Sequence, residues 1–515
     1  MKILVVNYPE DSFGAEIVAA AMSRSFTTAQ VGRADYQSIS ALPEAAVLLN
    51  PRPSDRLLLE KLGSEGRKVL VLGLLPEELA PEVGLVACPD NGSAAWTDIK
   101  INPAQPFNTT PVAVIYNHSH PLGRASALKK RHFCRFDFTD EWNNLGYGRI
   151  TTNGDIWSIS NISQAKGAEV VATIQNENGS ILSAYATVLD RPDSSILWYN
   201  RQVGPVDSLE WHVIENFFGD YRPEDLACFP YLPEVPYGFD GAITLRLDCD
   251  QTVSSARPLF ELYQAAGIPF SLAVTTGLNM DGQDLKLLND IIESKGAVVS
   301  HSHHHHPNWG GSYETALDEA LKSKQWLERN TAAGPIIYAI SPFHQNPAFA
   351  LDALADAGYR AFIGGIIHND PEFLLGRAGQ VPMVKKKLLS HSQQCLLHGD
   401  CFHRYGNSTE VYQESFINHM AAGSIFGYMD HPFSKEYCYG WKDEEERIRA
   451  HQELLNFVPR QGKIWRCNIN QCLDFLVMRD SVRVFVEENK LNLKYHKMES
   501  MPPLAVRWRG ELFEA

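Results

Sequence analysis

The chain has 515 residues, 44% of them hydrophobic and 21% charged, enough apolar content for two to four domains that each bury a sizeable core. Its formal charge of −15 weighs against nonspecific nucleic-acid binding and against attraction to anionic membranes. No long uncharged apolar stretch occurs, so no transmembrane segment is expected.

Residues 1–8 form only a short apolar run before Pro9, Glu10 and Asp11, shorter than a secretory signal requires. The nine cysteines are odd in number and scattered, with no CxxC pair. Reduced thiols and a cytoplasmic location are the expectation.

The first ninety residues alternate strand and helix signals. Apolar runs at 3–6, 46–49 and 69–72 read as strands, with helices at 15–23 and 55–62. This predicts a parallel, flavodoxin-like α/β unit over residues 1–90. It has neither GxGxxG nor a P-loop, so no nucleotide fingerprint is present. Across 91–205 the texture changes to turn dipeptides (Asn91-Gly92, Asn153-Gly154, Asn178-Gly179) and short alternating runs such as 181–188, which read as β-hairpins. A helix follows at 208–218, and Pro223, Pro230, Pro233 and Pro236 then make a stiff linker. Residues 1–235 are read as one N-terminal unit, with two separate small domains as the alternative.

From residue 236 to about 480 the alternation becomes regular. Strands are predicted at 243–247, 270–274, 297–300, 336–340, 361–364, 425–429 and 464–467. Helices are predicted at 256–266, 284–294, 314–328, 348–357 and 444–457. Seven strands with intervening helices predict a closed or nearly closed (β/α)7-type barrel, in which the chemistry sits at the strands' C-terminal ends. Residues 481–515 carry two further alternating runs, 482–487 and 491–495, read as a β-hairpin appendage.

Three of these strands stop in chemically loaded residues. Arg246-Leu247-Asp248-Cys249-Asp250 puts Arg246, Asp248 and Asp250 on one face of a strand, since side chains alternate. A cation beside two carboxylates keeps them ionised near neutral pH. His301-Ser302-His303-His304-His305-His306 places five of the chain's eighteen histidines within six positions. His301 and His305, four apart, come together if the chain makes one helical turn there. Other pairings remain open on spacing alone, and two of the five are expected to be ligands. The third strand ends in Met429-Asp430-His431. Carboxylates and imidazoles in this grouping supply the donors of a hydrolytic zinc-type site.

The order of Asp-rich strand end, His-Ser-x-x-His, Ser341-Pro342-Phe343 and a strand ending in Met-Asp-His resembles the NodB-homology polysaccharide deacetylases (carbohydrate esterase family 4) over about residues 241–480. The family's Thr-Phe-Asp-Asp motif is replaced here by Leu247-Asp248-Cys249-Asp250. An Asp-x-Asp variant of this kind also occurs in the related lipid-linked aminoarabinose deformylases. The resemblance implies Asp248 as general base, Asp250, His301 and His305 as metal ligands, and His431 as general acid. Aligning instead on His306-Pro307 would put Ser302 at the first ligand position, so His306 is the alternative ligand. The arginine that precedes the family's third motif has no counterpart ahead of Ser341-Pro342-Phe343, and its role falls to Arg246 or Arg377. Asp400, in His398-Gly399-Asp400, is the candidate for the Asp that tunes the acid histidine. His391 and His398 read equally as substrate contacts or loop residues, and Lys385 to Lys387 as a solvated face or a phosphate contact.

The resulting expectation is a divalent-metal hydrolase, with zinc first and Fe(II), Co(II) or Ni(II) compatible. It removes an N-acyl group, acetyl or formyl, from a nucleotide- or lipid-linked sugar in surface-glycan metabolism. Two rivals use the same residues: a non-catalytic carbohydrate-binding protein on a decayed deacetylase barrel, favoured by the missing arginine, and a non-haem Fe(II) oxygenase with a 2-His-1-carboxylate triad. An oxygenase has no need of the acid–base pair Asp248 and His431.

Overall fold

The computed structural model describes residues 2–87 except 40 and 65, 112–133, 150–364 except 151, 153, 155 and 207, and 376–515 except 383, 393–394, 405 and 435–436. The chain is mixed α/β, built on two large sheets. In the first, the fully buried run Ala45–Leu49 sits between Ile3–Asn7 and Lys68–Leu72, with Val31–Asp35 on the outer edge, all parallel. Apolar β-branched and leucine runs of this kind suit a strand covered on both faces.

The sheet does not end there. Ser194–Tyr199 adds parallel to Lys68–Leu72, and Ile181–Arg191, Glu169–Asn176, Val112–Tyr116 and Lys130–His132 continue it antiparallel. One nine-stranded sheet thus joins the segments read as flavodoxin-like and β-rich. The Asn178-Gly179 turn connects two of these strands, with Gly179 at φ 77°. Asn91-Gly92 and Asn153 lie outside the described residues.

The second sheet runs in the order Gly379–Gln380, Leu389–Ser392, Ala361–Gly364, Tyr338–Ile340, Ala297–Ser300, Ser271–Val274, Gly241–Cys249, Ile425–Asp430, Cys395–Leu396. Every pairing is parallel except the outermost, Gly379–Gln380 with Leu389–Ser392. Of the closed or nearly closed barrel expected from the sequence, closure is therefore not what forms among the described residues. One edge is occupied by the antiparallel Gly379–Gln380, and the other is Cys395–Leu396, two residues that among the described residues pair only with Ile425–Asp430. The strand Ile464–Cys467, expected to be a stave of its own, pairs with Gly241 to Thr244 of the central strand, while Leu247 to Cys249 pair with Ser271–Val274.

Helices between the strands bury apolar faces against this sheet. Asp281 caps Gly282–Glu293, accepting from the backbone N–H groups of Gln283 and Asp284 at 2.7 and 3.0 Å. Asp281→Ala is expected to lower stability by about 1 kcal/mol, read as a shift in the urea midpoint at unchanged slope.

The C-terminal residues form two hairpins, Arg483–Glu487 with Lys490–Lys494 and Ala505–Trp508 with Glu511–Glu514. Arg507 also exchanges backbone hydrogen bonds with Tyr231 at 2.9 and 2.8 Å. No described helix is long and apolar enough to cross a membrane.

Candidate metal centre

Three strand ends on the same rim of the second sheet meet at one point. Gly241–Cys249 is buried along its whole length, so Arg246 and Asp248, which share a face, meet without water. Arg246 donates from Nε to Asp248 Oδ1 at 2.7 Å and from Nη2 to Oδ2 at 3.1 Å, a bidentate pair. Burial pushes the Asp248 carboxyl up, but Arg246 and then His301 more than offset it and hold the group well below the usual carboxylate range.

Asp250 follows the strand's end. Its Oδ1 lies 3.3 Å from His301 Nε2 and 3.4 Å from His305 Nε2, and the two imidazole nitrogens are 3.1 Å apart. His301 continues Ala297–Ser300 and its Nδ1 lies 3.1 Å from the Ile340 carbonyl, a geometry in which Nδ1–H donates and Nε2 points at the cluster. His305 does not reach it through a helical turn. Ser302 and His305 both have left-handed backbones, at φ 64° and 58°, and Ser302 Oγ accepts from the His305 N–H at 2.9 Å. Such conformations cost energy in non-glycine residues. Buried Glu319 holds them by accepting from the His303 and His304 N–H groups at 2.9 and 2.6 Å.

The residues fit a metal. Donors at about 2.1 Å in a tetrahedron lie about 3.4 Å from one another, close to the spacing of Asp250, His301 and His305. Asp250 Oδ1 is buried with no aligned hydrogen-bond donor. Burial opposes the charge on His301, but Asp248 and Asp250 raise its pKa overall, so these acceptors gather a proton or a cation. Burial and the neighbouring His301 push His305 down to about 4, which leaves it a neutral ligand at pH 7.

His431 closes the other side, with Nε2 3.4 Å from Asp250 Oδ2. Its Nδ1 is 2.8 Å from His398 Nε2, and the Tyr439 ring stacks on it at 3.8 Å and 8°. Burial and His431 push His398 down to about 3, so a neutral imidazole stands where the resemblance implied a carboxylate. Asp430 accepts from the His431 and Trp441 N–H groups at 2.8 and 3.2 Å and lies 3.0 Å from His451 Nε2, fixing the turn that carries His431. For the hydrolase proposed below, His398→Phe is expected to leave metal uptake unchanged and cut turnover by about 10- to 100-fold, the worth of one hydrogen bond to a group that becomes charged. Unchanged turnover would remove His398 from the site.

The structure thus gathers Asp248, Asp250, His301, His305, His431 and Arg246. His306 lies apart, half-exposed beside Glu319. Asp400 is exposed in the first turn of Gly399–Arg404. Arg377 pairs instead with Glu215, at 2.9 and 2.6 Å. His391 is buried on Leu389–Ser392, and Lys385, Lys386 and Lys387 pair with Asp352, Asp356 and Asp480. Phe343, the last residue of Ser341-Pro342-Phe343, has its ring 4.5 Å from that of His305. Sequence reasoning missed Tyr439, whose Oη donates to Asp250 Oδ2 at 3.0 Å. It also missed buried His344, whose pKa falls through burial and the charge of Arg246. Neither Tyr439 nor His344 has a spacing that marks it.

No family model matches the chain, and no curated protein does. Among solved structures, a novel carbohydrate deacetylase aligns over 98% of this chain and 93% of its own at 9% identity and TM-score 0.42. A putative polysaccharide deacetylase from Mycobacterium smegmatis covers 48% of this chain and 94% of its own, at 10% identity and TM-score 0.34. A chitin deacetylase from the fungal pathogen Colletotrichum lindemuthianum covers 47% and 89%, at 12% identity and TM-score 0.32.

Proposed function

We propose that the protein is a metal-dependent hydrolase that removes an N-acyl group, acetyl first and formyl second, from a sugar. The observation that carries this is the convergence of Asp250, His301 and His305 donors at 3.1–3.4 Å, flanked by a buried carboxylate on one side and a histidine on the other. An ion held by these three supplies Lewis acidity toward the amide oxygen and lowers the pKa of a bound water, and zinc is the first choice for the set.

The chain's own residues do the proton work. Asp248, kept ionised by Arg246, accepts the proton of the attacking water. His431 donates from Nε2 to the departing amine, while its Nδ1–H is held by neutral His398. Phe343 and Tyr437, both exposed, flank the cluster through their contacts with His305 and Tyr439, and offer apolar ring faces to the C–H face of a pyranose. The binding-protein alternative drew on a missing arginine, and Arg246 fills that place. The sugar in this reading is carried on a nucleotide or lipid in surface-glycan metabolism.

The test is metal content and acetate release together. Purified protein is expected to hold a tightly bound ion at this cluster and to release acetate from N-acetylated sugars. Chelation is expected to stop the release and zinc to restore it. No tight ion after reconstitution, with glycan binding intact, would overturn the reading in favour of a binding protein.

A further inference from the structure

The histidine run is longer than one metal centre needs. His301 and His305 turn inward, but His304 and His306 face solvent and are about half exposed. Both converge on Glu319, in the helix Tyr313–Asn330. His304 Nδ1 is 2.7 Å from Glu319 Oε1, His306 Nε2 is 4.0 Å from the same oxygen, and the two rings are 5.3 Å apart. Glu319 itself is only 2% exposed, and its Oε2 is held by the backbone N–H groups of His303 and His304. Its carboxylate is therefore fixed, with Oε1 turned toward the two imidazoles.

We propose that His304, His306 and Glu319 form a second, solvent-facing site for a divalent transition ion, separate from the Asp250 centre. Two imidazoles and one carboxylate select zinc-class ions over magnesium or calcium, which take oxygen donors. Donors on one ion at about 2.1 Å can lie at most about 4.2 Å apart, so the 2.7 and 4.0 Å separations are within reach, and exposed His306 is free to close the longer one. The alternative for His304 is a plain hydrogen bond to Glu319. That leaves unexplained why His306, half exposed, keeps its Nε2 4.0 Å from the same oxygen and its ring beside that of His304. The remaining member of the run, His303, is engaged elsewhere, with Nδ1 2.9 Å from Thr276 Oγ1. An ion here ties the loop that carries His305 to the helix behind it.

The test counts zinc by equilibrium dialysis of metal-stripped protein. Wild type is expected to bind two ions, the H304N/H306N variant one, and H303N two. Glu319→Gln is expected to weaken the second ion by about tenfold or more, since losing a ligand costs at least what losing an outer contact does. The H301N/H305N variant is expected to keep the outer ion, which separates this site from the proposed catalytic one. Thermal melts check that each variant is folded. A single ion in wild type, an H304N/H306N variant that still binds two, or an H303N variant that loses one would each overturn the proposal, the last by making the run a diffuse chelator.

Discussion

Asp248→Asn is expected to leave the tight ion in place and to reduce acetate release by about 10²- to 10⁴-fold, the usual worth of a positioned general base. The two effects separate because Asp248 stands just outside the donor cluster. Its Oδ2 is 3.9 Å from His301 Nε2, whereas Asp250 Oδ1 is 3.3 Å from the same atom. Asparagine keeps the shape and one acceptor for Arg246, so the strand end survives while the proton acceptor is lost. Metal analysis and acetate release on one preparation decide it. Turnover near wild type would end the role of Asp248 as base, and loss of the ion would make it a ligand.

How much of this was legible depended on how local the determinant was. The strands Ala297–Ser300, Ala361–Gly364 and Ile464–Cys467 were read to the residue, because each is an apolar run bounded by polar or turn residues. Closure of the sheet was not, because it turns on Gly379–Gln380 and Cys395–Leu396, two-residue strands that carry no periodicity. Nor was the single sheet running through both parts of the 1–235 unit, because it rests on Lys68–Leu72 pairing with residues more than a hundred positions away.

The site follows the same rule. Asp250, His301 and His305 lie at strand ends where motif and spacing mark them, although the turn that joins the histidines is left-handed instead of helical. The group on His431 Nδ1 was sought as Asp400 and is His398, two residues earlier. Which of them faces His431 is set by the start of the helix Gly399–Arg404, and a pattern of residue types does not encode that. Tyr439 reaches Asp250 across 189 positions, a contact that only the fold creates.

The largest expected effect on stability lies where the two sheets meet. Arg377→Met is expected to destabilise the protein by about 3–5 kcal/mol at pH 7, because it removes the guanidinium from the buried Glu215 carboxylate and leaves it facing His212 and Ser25. Arg377 and Glu215 are both fully buried. The guanidinium also donates to the carbonyls of Ala422 and Gly423 and to Ser424 Oγ, at 2.6, 3.0 and 2.8 Å. Ser25 donates to Glu215 at 2.6 Å, and Trp211 donates to Ser25 at 2.8 Å, so one pair ties the first helix to the second sheet. Burial pushes the Glu215 carboxyl up, but Arg377 and His212 bring it down to about 2. A folded pKa below the unfolded value of about 4.3 contributes about 3 kcal/mol above that pH, lost as pH falls from 4.3 toward 2. In Arg377→Met the carboxyl instead rises and protonates early. The gap between variant and wild type should therefore narrow as unfolding is measured from pH 7 down to pH 4. Adding Glu215→Gln should recover part of the loss, since no lone charge is then buried. A gap that stays constant with pH, or a double variant no more stable than Arg377→Met, would mean that the ion pair does not hold this junction.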